Sequence, residues 1–190
     1  MSSTQDALLD AAGALLADRT WAQVRMADVA ERAGVSRQTV YNAFGSREGL
    51  ALAYVSREAE SFLANVAVAV SARSDDPTGA LRAALALFLS AAETHPLVRA
   101  ISAAPEGDEL LVLVTTGGGP VLGPVTDGLA RMICATWPEA DADAAALAAD
   151  TLVRLAISHA ALPSGTPEET ADRVARILAP YIDAQIGPGR

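Results

Sequence analysis

A short segment near the N-terminus holds two apolar, helix-periodic stretches separated by a glycine turn, a pattern that taken alone also occurs by chance in many helical proteins. The first stretch, Met26–Ala33, is apolar at every third or fourth position and ends at Gly34, a residue suited to the left-handed conformation that closes a helix. Ser36 can then cap a second helix, Arg37–Phe44, while Val35 packs inward. Two short helices joined by a glycine-containing turn have the spacing of a helix-turn-helix unit.

The outer face predicted for the second helix differs in charge from the rest of the chain. Val40 and Phe44 form its inner side, and its outer side carries polar residues without one acid: Arg37, Gln38, Thr39, Tyr41 and Asn42. The chain has a net charge of −9, yet residues 1–57 balance six arginines against six acids, whereas residues 58–190 hold eight against seventeen. If the chain contacts a polyanion, we expect the contact in segment 25–47. The simpler alternative is that the polar side of this helix only faces solvent.

Helical periodicity continues along the remaining sequence and predicts an all-α fold. Alanine is abundant, only 4% of the residues are aromatic, and every basic residue is arginine, a composition that favours helices over strands. Leu110–Val114 also fits a strand, but we predict a helix there, followed by a loop at Gly117–Pro120. A first helix is predicted directly after the capping-box-like Ser3-x-x-Asp6. The remaining helices are predicted over about 46–72, 81–92, a short segment from 97, 121–137, 142–161 and 167–186.

Several function classes find no support in the sequence. The single cysteine, Cys134, can form neither an intrachain disulfide nor a Cys-rich metal site. We expect no signal peptide and no membrane-spanning segment. We therefore predict a cytoplasmic chain without membrane contact. We also predict no enzyme activity, cofactor or metal. Gly117–Pro120 lacks the lysine of a phosphate-binding loop, and the Asp141-x-Asp143 pair lacks the glycine and glutamate that complete a calcium loop.

A distinctive set of residues lies between Val24 and Leu50: Ala30, the turn Ala33-Gly34-Val35-Ser36, Thr39, Tyr41, Phe44 and the basic-acidic-x-Leu pattern that ends at Leu50. Through these residues the segment resembles the TetR family of bacterial transcriptional regulators. The likeness is specific over residues 5–55. Beyond that segment the resemblance concerns architecture alone.

Three positions depart from the family pattern. Arg25 stands where the family often has a threonine that caps the second helix, so a cap worth about 1 kcal/mol is lost while a guanidinium able to bind phosphate is gained. Asn42 replaces a common histidine, and Arg47 replaces the usual lysine at the start of the long helix. Both keep hydrogen-bonding capacity toward phosphate.

The resemblance implies nine or ten helices in two domains. A three-helix, helix-turn-helix DNA-binding domain is expected over residues 1–48, and a larger helical regulatory domain with a ligand cavity over residues 49–190. Homodimerisation through the last two long helices is also implied, and the nearly all-round apolar surface of helix 142–161 favours such an interface. The predicted interface residues are Leu152, Val153, Ile157, Val174, Ile177, Leu178 and Tyr181.

The DNA contacts are predicted from the chemistry of the exposed helix and its surroundings. Near the start of the recognition helix, Arg37 can bond guanine, Gln38 can pair with adenine, and the Thr39 methyl can meet a thymine methyl. The inward positions of Trp21, Val29 and Phe44 assign them to the small N-terminal core. We predict phosphate contacts that fix the register for Arg25, Ser36, Tyr41, Asn42 and Arg47, although Tyr41 also fits a core position.

A ligand site in the second domain is predicted only in outline. Few inward positions there carry charge, which favours an apolar or amphipathic compound over a sugar phosphate. For each residue taken alone, ordinary core packing is the simpler interpretation. The candidate lining residues are Phe62, Leu63, Phe88, Leu89, Arg99, Ile101, Leu113, Met132, Trp137 and His159, with Thr115 and Thr116 as further polar candidates.

Taken together, these patterns predict a homodimeric, sequence-specific DNA-binding transcriptional regulator. We expect a repressor that leaves a palindromic double-stranded DNA operator when a small apolar or amphipathic effector binds. One alternative is a constitutive repressor or an activator without ligand. Another is a ligand-binding or enzymatic helical protein whose N-terminal unit is vestigial.

Overall fold

The computed structural model describes residues 3–104, 108–115 and 118–187. These ranges contain ten α-helices, one 3-10 turn and no strand, so the all-α prediction is confirmed and segment 110–114 is helical. Thr116, a predicted polar candidate, lies outside the described residues. The elements are α1 (Thr4–Leu16), the 3-10 turn Trp21–Gln23, α2 (Met26–Ala33), α3 (Arg37–Phe44), α4 (Arg47–Ser71), α5 (Pro77–Thr94), α6 (Pro96–Ser102), α7 (Glu109–Val114), α8 (Gly119–Thr136), α9 (Ala142–Ala161) and α10 (Pro167–Gln185).

Local capping signals account for most helix starts. Ser3 and Asp6 form the predicted reciprocal capping box at the start of α1. The Ser36 hydroxyl accepts a hydrogen bond from the Thr39 amide at 3.1 Å and so begins α3. Of the loop predicted at Gly117–Pro120, Gly117 lies outside the described residues, and Gly119 and Pro120 already belong to α8, because a proline in the first turn of a helix forfeits no intrahelical hydrogen bond.

Glycines with positive φ end both helices of the helix-turn-helix. Gly34 follows α2 with φ 69° and ψ 29°, the left-handed conformation predicted for it. Gly45 follows α3 with φ 72° and ψ −48°, and the Ser46 amide donates to the Phe44 carbonyl across it at 2.8 Å. That bond closes a γ-turn, which an L-side chain adopts only with strain.

The described residues fall into two compact units. The first lies within Met1–Glu58 and His95–Val121, and the second within Ala59–Thr94 and Leu122–Arg190, so α4 contributes to both. The domain boundary predicted between residues 48 and 49 stays a prediction. In the first unit, α1 packs on α2 and α6, α2 packs on α3, and α6 packs on α7. Its largest fully buried side chains are Trp21, Tyr54, Leu8, Leu50, Leu110, Val24, Val29, Val40 and Val55.

The second unit is organised around α5 and α10. These two helices pack along each other, and α9 packs on both. Trp137 is buried at the end of α8, where its indole N–H donates to the Ser74 carbonyl at 2.7 Å. Small residues permit close packing here, since a Cβ on Gly128 would lie only 2.6 Å from a Leu63 methyl.

Two stretches, 109–136 and Ala142–Ala161, are long and apolar enough to cross a membrane when judged by length and composition. The first runs over residues that the structure does not describe. The second is α9, which packs on α5 and α10. Core helices of globular proteins pass the same test, so it supports no membrane assignment.

Candidate DNA-binding interface

Helix α3 presents the polar face that the sequence predicts. Arg37, Gln38 and Asn42 are exposed, and Tyr41 is 43% exposed, so it does not occupy a core position. On the opposite side Val40 is fully buried. This amphipathic division leaves one face of α3 for packing and the other for a partner.

Two hydrogen-bonded pairs order the side chains on that face. The Gln38 amide nitrogen donates to the Asn42 side-chain oxygen at 2.8 Å, one turn further along α3. The hydroxyls of Ser36 and Thr39 lie 2.9 Å apart in a second hydrogen bond. A fixed amide or hydroxyl loses less side-chain entropy when it meets a base or a phosphate.

The two arginines that flank the helix-turn-helix have different surroundings. Arg25 is exposed at the N-terminus of α2, where its backbone amide donates to the Asp28 carboxylate at 3.1 Å; its side chain makes no capping bond. Arg47 is directed toward protein partners instead. It donates to the carbonyls of Trp21 at 2.6 Å and Val24 at 3.1 Å and to the Glu109 carboxylate at 2.9 Å. This placement does not suit the predicted phosphate contact.

A charged network lies behind the interface in the first unit. Arg57 pairs with Asp10 and Glu58, and His95 lies 3.1 Å from Glu58 through Nε2. His95 Nδ1 accepts a hydrogen bond from the Leu97 amide, so Nε2 carries the proton and donates to Glu58. The hydrogen bonds from His95 and Arg57 outweigh burial and lower the pKa of Glu58.

Sequence reasoning did not identify Glu109 or this network as elements next to the DNA-binding unit. Glu109 lies 62 positions from Arg47, and His95 lies 37 positions from Glu58. Neither pair has a local spacing that could be recognised in one sequence. Trp21 and Val29 are buried and Phe44 is partly buried, in line with the core role predicted for them.

The predicted ligand residues are distributed over both units. In the second unit the Phe62 and Phe88 rings meet edge to face, with centroids 5.0 Å apart, and Leu89 and Trp137 are buried in the core. Thr115, in the first unit, donates its hydroxyl to the Leu111 carbonyl. The remaining candidates are Leu63, Met132 and His159, all half-buried in the second unit, and Ile101 (buried), Leu113 (half-buried) and Arg99 (exposed) in the first unit.

A surface groove of about 750 Å³ lies between α5 and α10 in the second unit. Of the described residues, none of the ten predicted ligand residues lines this groove. Its walls carry both signs of charge, and Arg82 and Asp172 form an ion pair there at 3.2 Å. The lining residues are Thr78, Arg82, Glu169, Asp172, Arg173, Ala175, Arg176 and Ala179.

The predicted dimer residues differ in exposure. Val153 and Val174 are buried in the chain's own core, and Tyr181 donates its hydroxyl to the Ala144 carbonyl at 3.2 Å. Ile177 on α10 is 77% exposed, and Leu147 on α9, which sequence reasoning missed, is 58% exposed. The other three, Leu152, Ile157 and Leu178, are half-buried.

A three-helix unit that offers an acid-free polar recognition face, joined to a larger helical region, defines a helix-turn-helix DNA-binding regulator. Two family models match the chain. "Bacterial regulatory proteins, tetR family" covers residues 8–54, and "Bacterial Tetracyclin repressor, C-terminal domain" covers residues 76–180. The chain belongs to the TetR family of transcriptional regulators, which confirms the predicted family and the predicted DNA-binding regulatory function.

Individual relatives extend the likeness over nearly the whole chain. The HTH-type transcriptional regulator AlkX of Mycobacterium tuberculosis is 32% identical over 179 residues, which span 94% of this chain and 85% of that protein. The crystal structure of the TetR family repressor AlkX from Dietzia sp., implicated in biodegradation of n-alkanes, has 34% identity and a TM-score of 0.84 and covers 97% of each chain. The fatty acid degradation regulator FadR from Bacillus halodurans shares the fold alone, with 17% identity, a TM-score of 0.57 and coverage of 97% of this chain and 99% of that one.

Proposed function

We propose that this chain is a homodimeric repressor that binds a palindromic operator and leaves it when an apolar or amphipathic compound binds. The observation that carries the proposal is the exposed face of α3, which holds Arg37, Gln38 and Asn42 and no acid in a chain of net charge −9. The likeness to the Dietzia repressor AlkX supports repression as the mode of regulation. Access to chromosomal DNA places such a protein in the bacterial cytoplasm.

The proposed interface assigns base contacts to the start of α3 and phosphate contacts to its surroundings. Arg37 reads guanine, Gln38 reads adenine and Thr39 contacts a thymine methyl, each bidentate pair discriminating by about 1–3 kcal/mol. The phosphate contacts come from exposed donors on and before α3: Arg25, Ser36, Tyr41 and Asn42. Arg47 is left out of this set because protein groups occupy its guanidinium.

The proposed dimer places two copies of α3 in successive major grooves, about 34–36 Å apart. Exposed Ile177 and Leu147 lie on the two helices expected to meet a second copy. Burying side chains of this size is worth about 1.5–3 kcal/mol each. Replacing Ile177 with glutamate therefore yields monomers in sedimentation experiments and weakens operator binding, whereas a dimer that persists contradicts this interface.

The proposed effector is a hydrocarbon chain or its oxidised derivative. Most of the candidate lining is apolar, including the packed rings of Phe62 and Phe88 in the second unit. The implication of the Dietzia AlkX in n-alkane biodegradation makes n-alkanes the first series to test. Long-chain fatty acids form a second series, as oxidised derivatives of the same chains. Ligand acts only through a difference in affinity between the DNA-competent and released conformations.

The first experiment selects genomic DNA fragments with the purified chain at physiological salt and maps the bound site. A double variant, Arg37→Ala with Gln38→Ala, abolishes the enrichment if α3 carries recognition. Arg131→Ala, an exposed arginine on α8, is the control for loss of positive charge and retains it. No enrichment with folded wild-type dimer contradicts sequence-specific regulation.

A second experiment adds the effector series to the protein–operator complex. Fluorescence anisotropy of labelled operator falls when a compound releases the protein. Release that depends on chain length supports the proposed effector class. An operator that stays bound through the whole series favours the constitutive alternative.

A further inference from the structure

One carboxylate oxygen of Glu109, the first residue of α7, accepts two hydrogen bonds from the DNA-binding region. The Trp21 indole N–H donates to it at 2.6 Å, and the Arg47 guanidinium donates to it at 2.9 Å. The guanidinium also lies over the Trp21 ring, with its central carbon 5.2 Å from the centroid. All three residues belong to the first compact unit.

These partners lie on both sides of the helix-turn-helix. Trp21 opens the 3-10 turn that leads into α2, and Arg47 opens α4 directly after the γ-turn that ends α3. Arg47 also connects the start of α4 to the 3-10 turn directly, because it donates to the carbonyls of Trp21 and Val24. Segment 26–44 is therefore held at its entry and at its exit by one set of hydrogen bonds centred on Glu109.

Glu109 comes from a distant part of the sequence. The matched N-terminal family segment ends at residue 54, whereas Glu109 lies within the matched C-terminal segment 76–180. Its side chain and that of Arg47 are each about one-third exposed, so water only partly screens the pair. A charge-assisted hydrogen bond in such surroundings is stronger than one between neutral groups.

We propose that Glu109 is a positioning residue for DNA recognition. It touches no DNA, and it fixes the 3-10 turn and the start of α4 so that α2 and α3 hold the orientation that matches the major groove. The proposal requires the DNA binding assigned to this chain, but it depends neither on an effector nor on release.

Glutamine and alanine at position 109 separate this role from a simple charge effect. A glutamine carbonyl oxygen can still accept from Trp21 and Arg47, although without the charge, whereas alanine leaves both donors without this acceptor. Both variants remove one negative charge, and a long-range charge effect would strengthen DNA binding equally in the two. A positioning role predicts that both variants bind the operator more weakly than wild type. The loss of affinity is smaller in Glu109→Gln and larger in Glu109→Ala.

The test measures Kd for the selected operator and for random DNA of the same length. We expect operator affinity to fall about tenfold in Glu109→Ala, the loss expected for one hydrogen bond to a charged group, and by less in Glu109→Gln. Affinity for random DNA stays within about twofold because it depends on phosphate contacts. Glu93→Ala, an exposed glutamate on α5, is the matched control for the charge and keeps wild-type operator affinity.

A second readout follows the hydrogen bond itself. In the 15N spectrum of tryptophan-labelled protein, the Trp21 indole proton moves upfield in Glu109→Ala, and a Trp137→Phe variant assigns the signal. Circular dichroism verifies that each variant is folded at the assay temperature; if Glu109→Ala does not fold, Glu109→Gln carries both measurements.

Unchanged operator affinity in the folded variants, or an unmoved Trp21 signal, overturns the proposal. So does an equal loss on operator and random DNA, since that indicates reduced folding alone. Wild-type protein that selects no operator overturns the proposed function and this inference together, and that failure is recognised before any variant is made.

Discussion

Replacing Gly34 with alanine tests what holds the turn between α2 and α3. At φ 69° and ψ 29° the residue is left-handed, and an added Cβ would find no atom within 4 Å. The cost is therefore conformational and not steric, about 1–2 kcal/mol for an L-residue in this region. Alanine also reduces the entropy of the unfolded chain, which returns about 0.4–1 kcal/mol, so we expect a net destabilisation of about 1 kcal/mol.

Asparagine and the second turn provide the comparison. Asparagine tolerates the left-handed region, so Gly34→Asn destabilises less than Gly34→Ala. Gly45 has φ 72° but ψ −48°, outside that region, and its γ-turn is strained for any side chain. Gly45→Ala therefore costs more than Gly34→Ala, and Gly45→Asn gives no comparable relief.

The assay is urea unfolding followed by circular dichroism, at fixed protein concentration because a dimer's stability depends on it. The free energy of unfolding is compared among the four variants with one shared slope of free energy against urea concentration. If Gly34→Asn is as destabilising as Gly34→Ala, backbone strain is not the cause. A Gly45→Ala variant milder than Gly34→Ala would refute the conformational ranking.

Three further predictions concern caps, orientation and acid stability. Ser36→Ala removes the cap of α3 and lowers the free energy of urea unfolding by about 1 kcal/mol. Asn42→Ala frees Gln38 and relaxes base preference at its operator position by about twofold, measured with substituted operators. Hydrogen bonds from His95 and a neighbouring arginine hold the pKa of Glu58 below its ordinary 4.5. The ionised Glu58 therefore stabilises the fold fully above pH 4.5, and this contribution is lost as the pH falls through the lowered pKa. In Glu58→Gln, the free energy of unfolding depends less on pH in this acid range.

Features set by neighbouring residues were predicted well from the sequence. The bounds of α2 and α3 agree with the prediction because Gly34 and Ser36 act on backbone groups within a few positions of themselves. The bounds of α9 agree as well, since Asp141 caps its first turn by accepting from the Ala144 amide. The family likeness has the same origin, because its markers lie within one short segment.

Features that depend on distant partners were not predicted. The guanidinium of Arg47 has the chemistry of a phosphate contact, and only the folded chain reveals that Trp21, Val24 and Glu109 occupy it. Burial of Val174 against the chain's own core has the same cause, because an apolar stripe on α10 does not indicate which neighbour covers it. A single sequence specifies which groups are available but not which of them meet across the fold.

The inward placement of Arg47 also sets how strongly salt should weaken the DNA complex. Of the two arginines predicted to contact phosphates, Arg25 and Arg47, only Arg25 is exposed, so a dimer offers two such guanidinium groups instead of four. Each neutralised phosphate releases condensed counterions, and two contacts give a slope of about −2 in log K against log salt, compared with about −4 for four. A regulator of this kind depends more on base edges and neutral hydrogen bonds, and it keeps more of its affinity as the ionic strength of the cell rises.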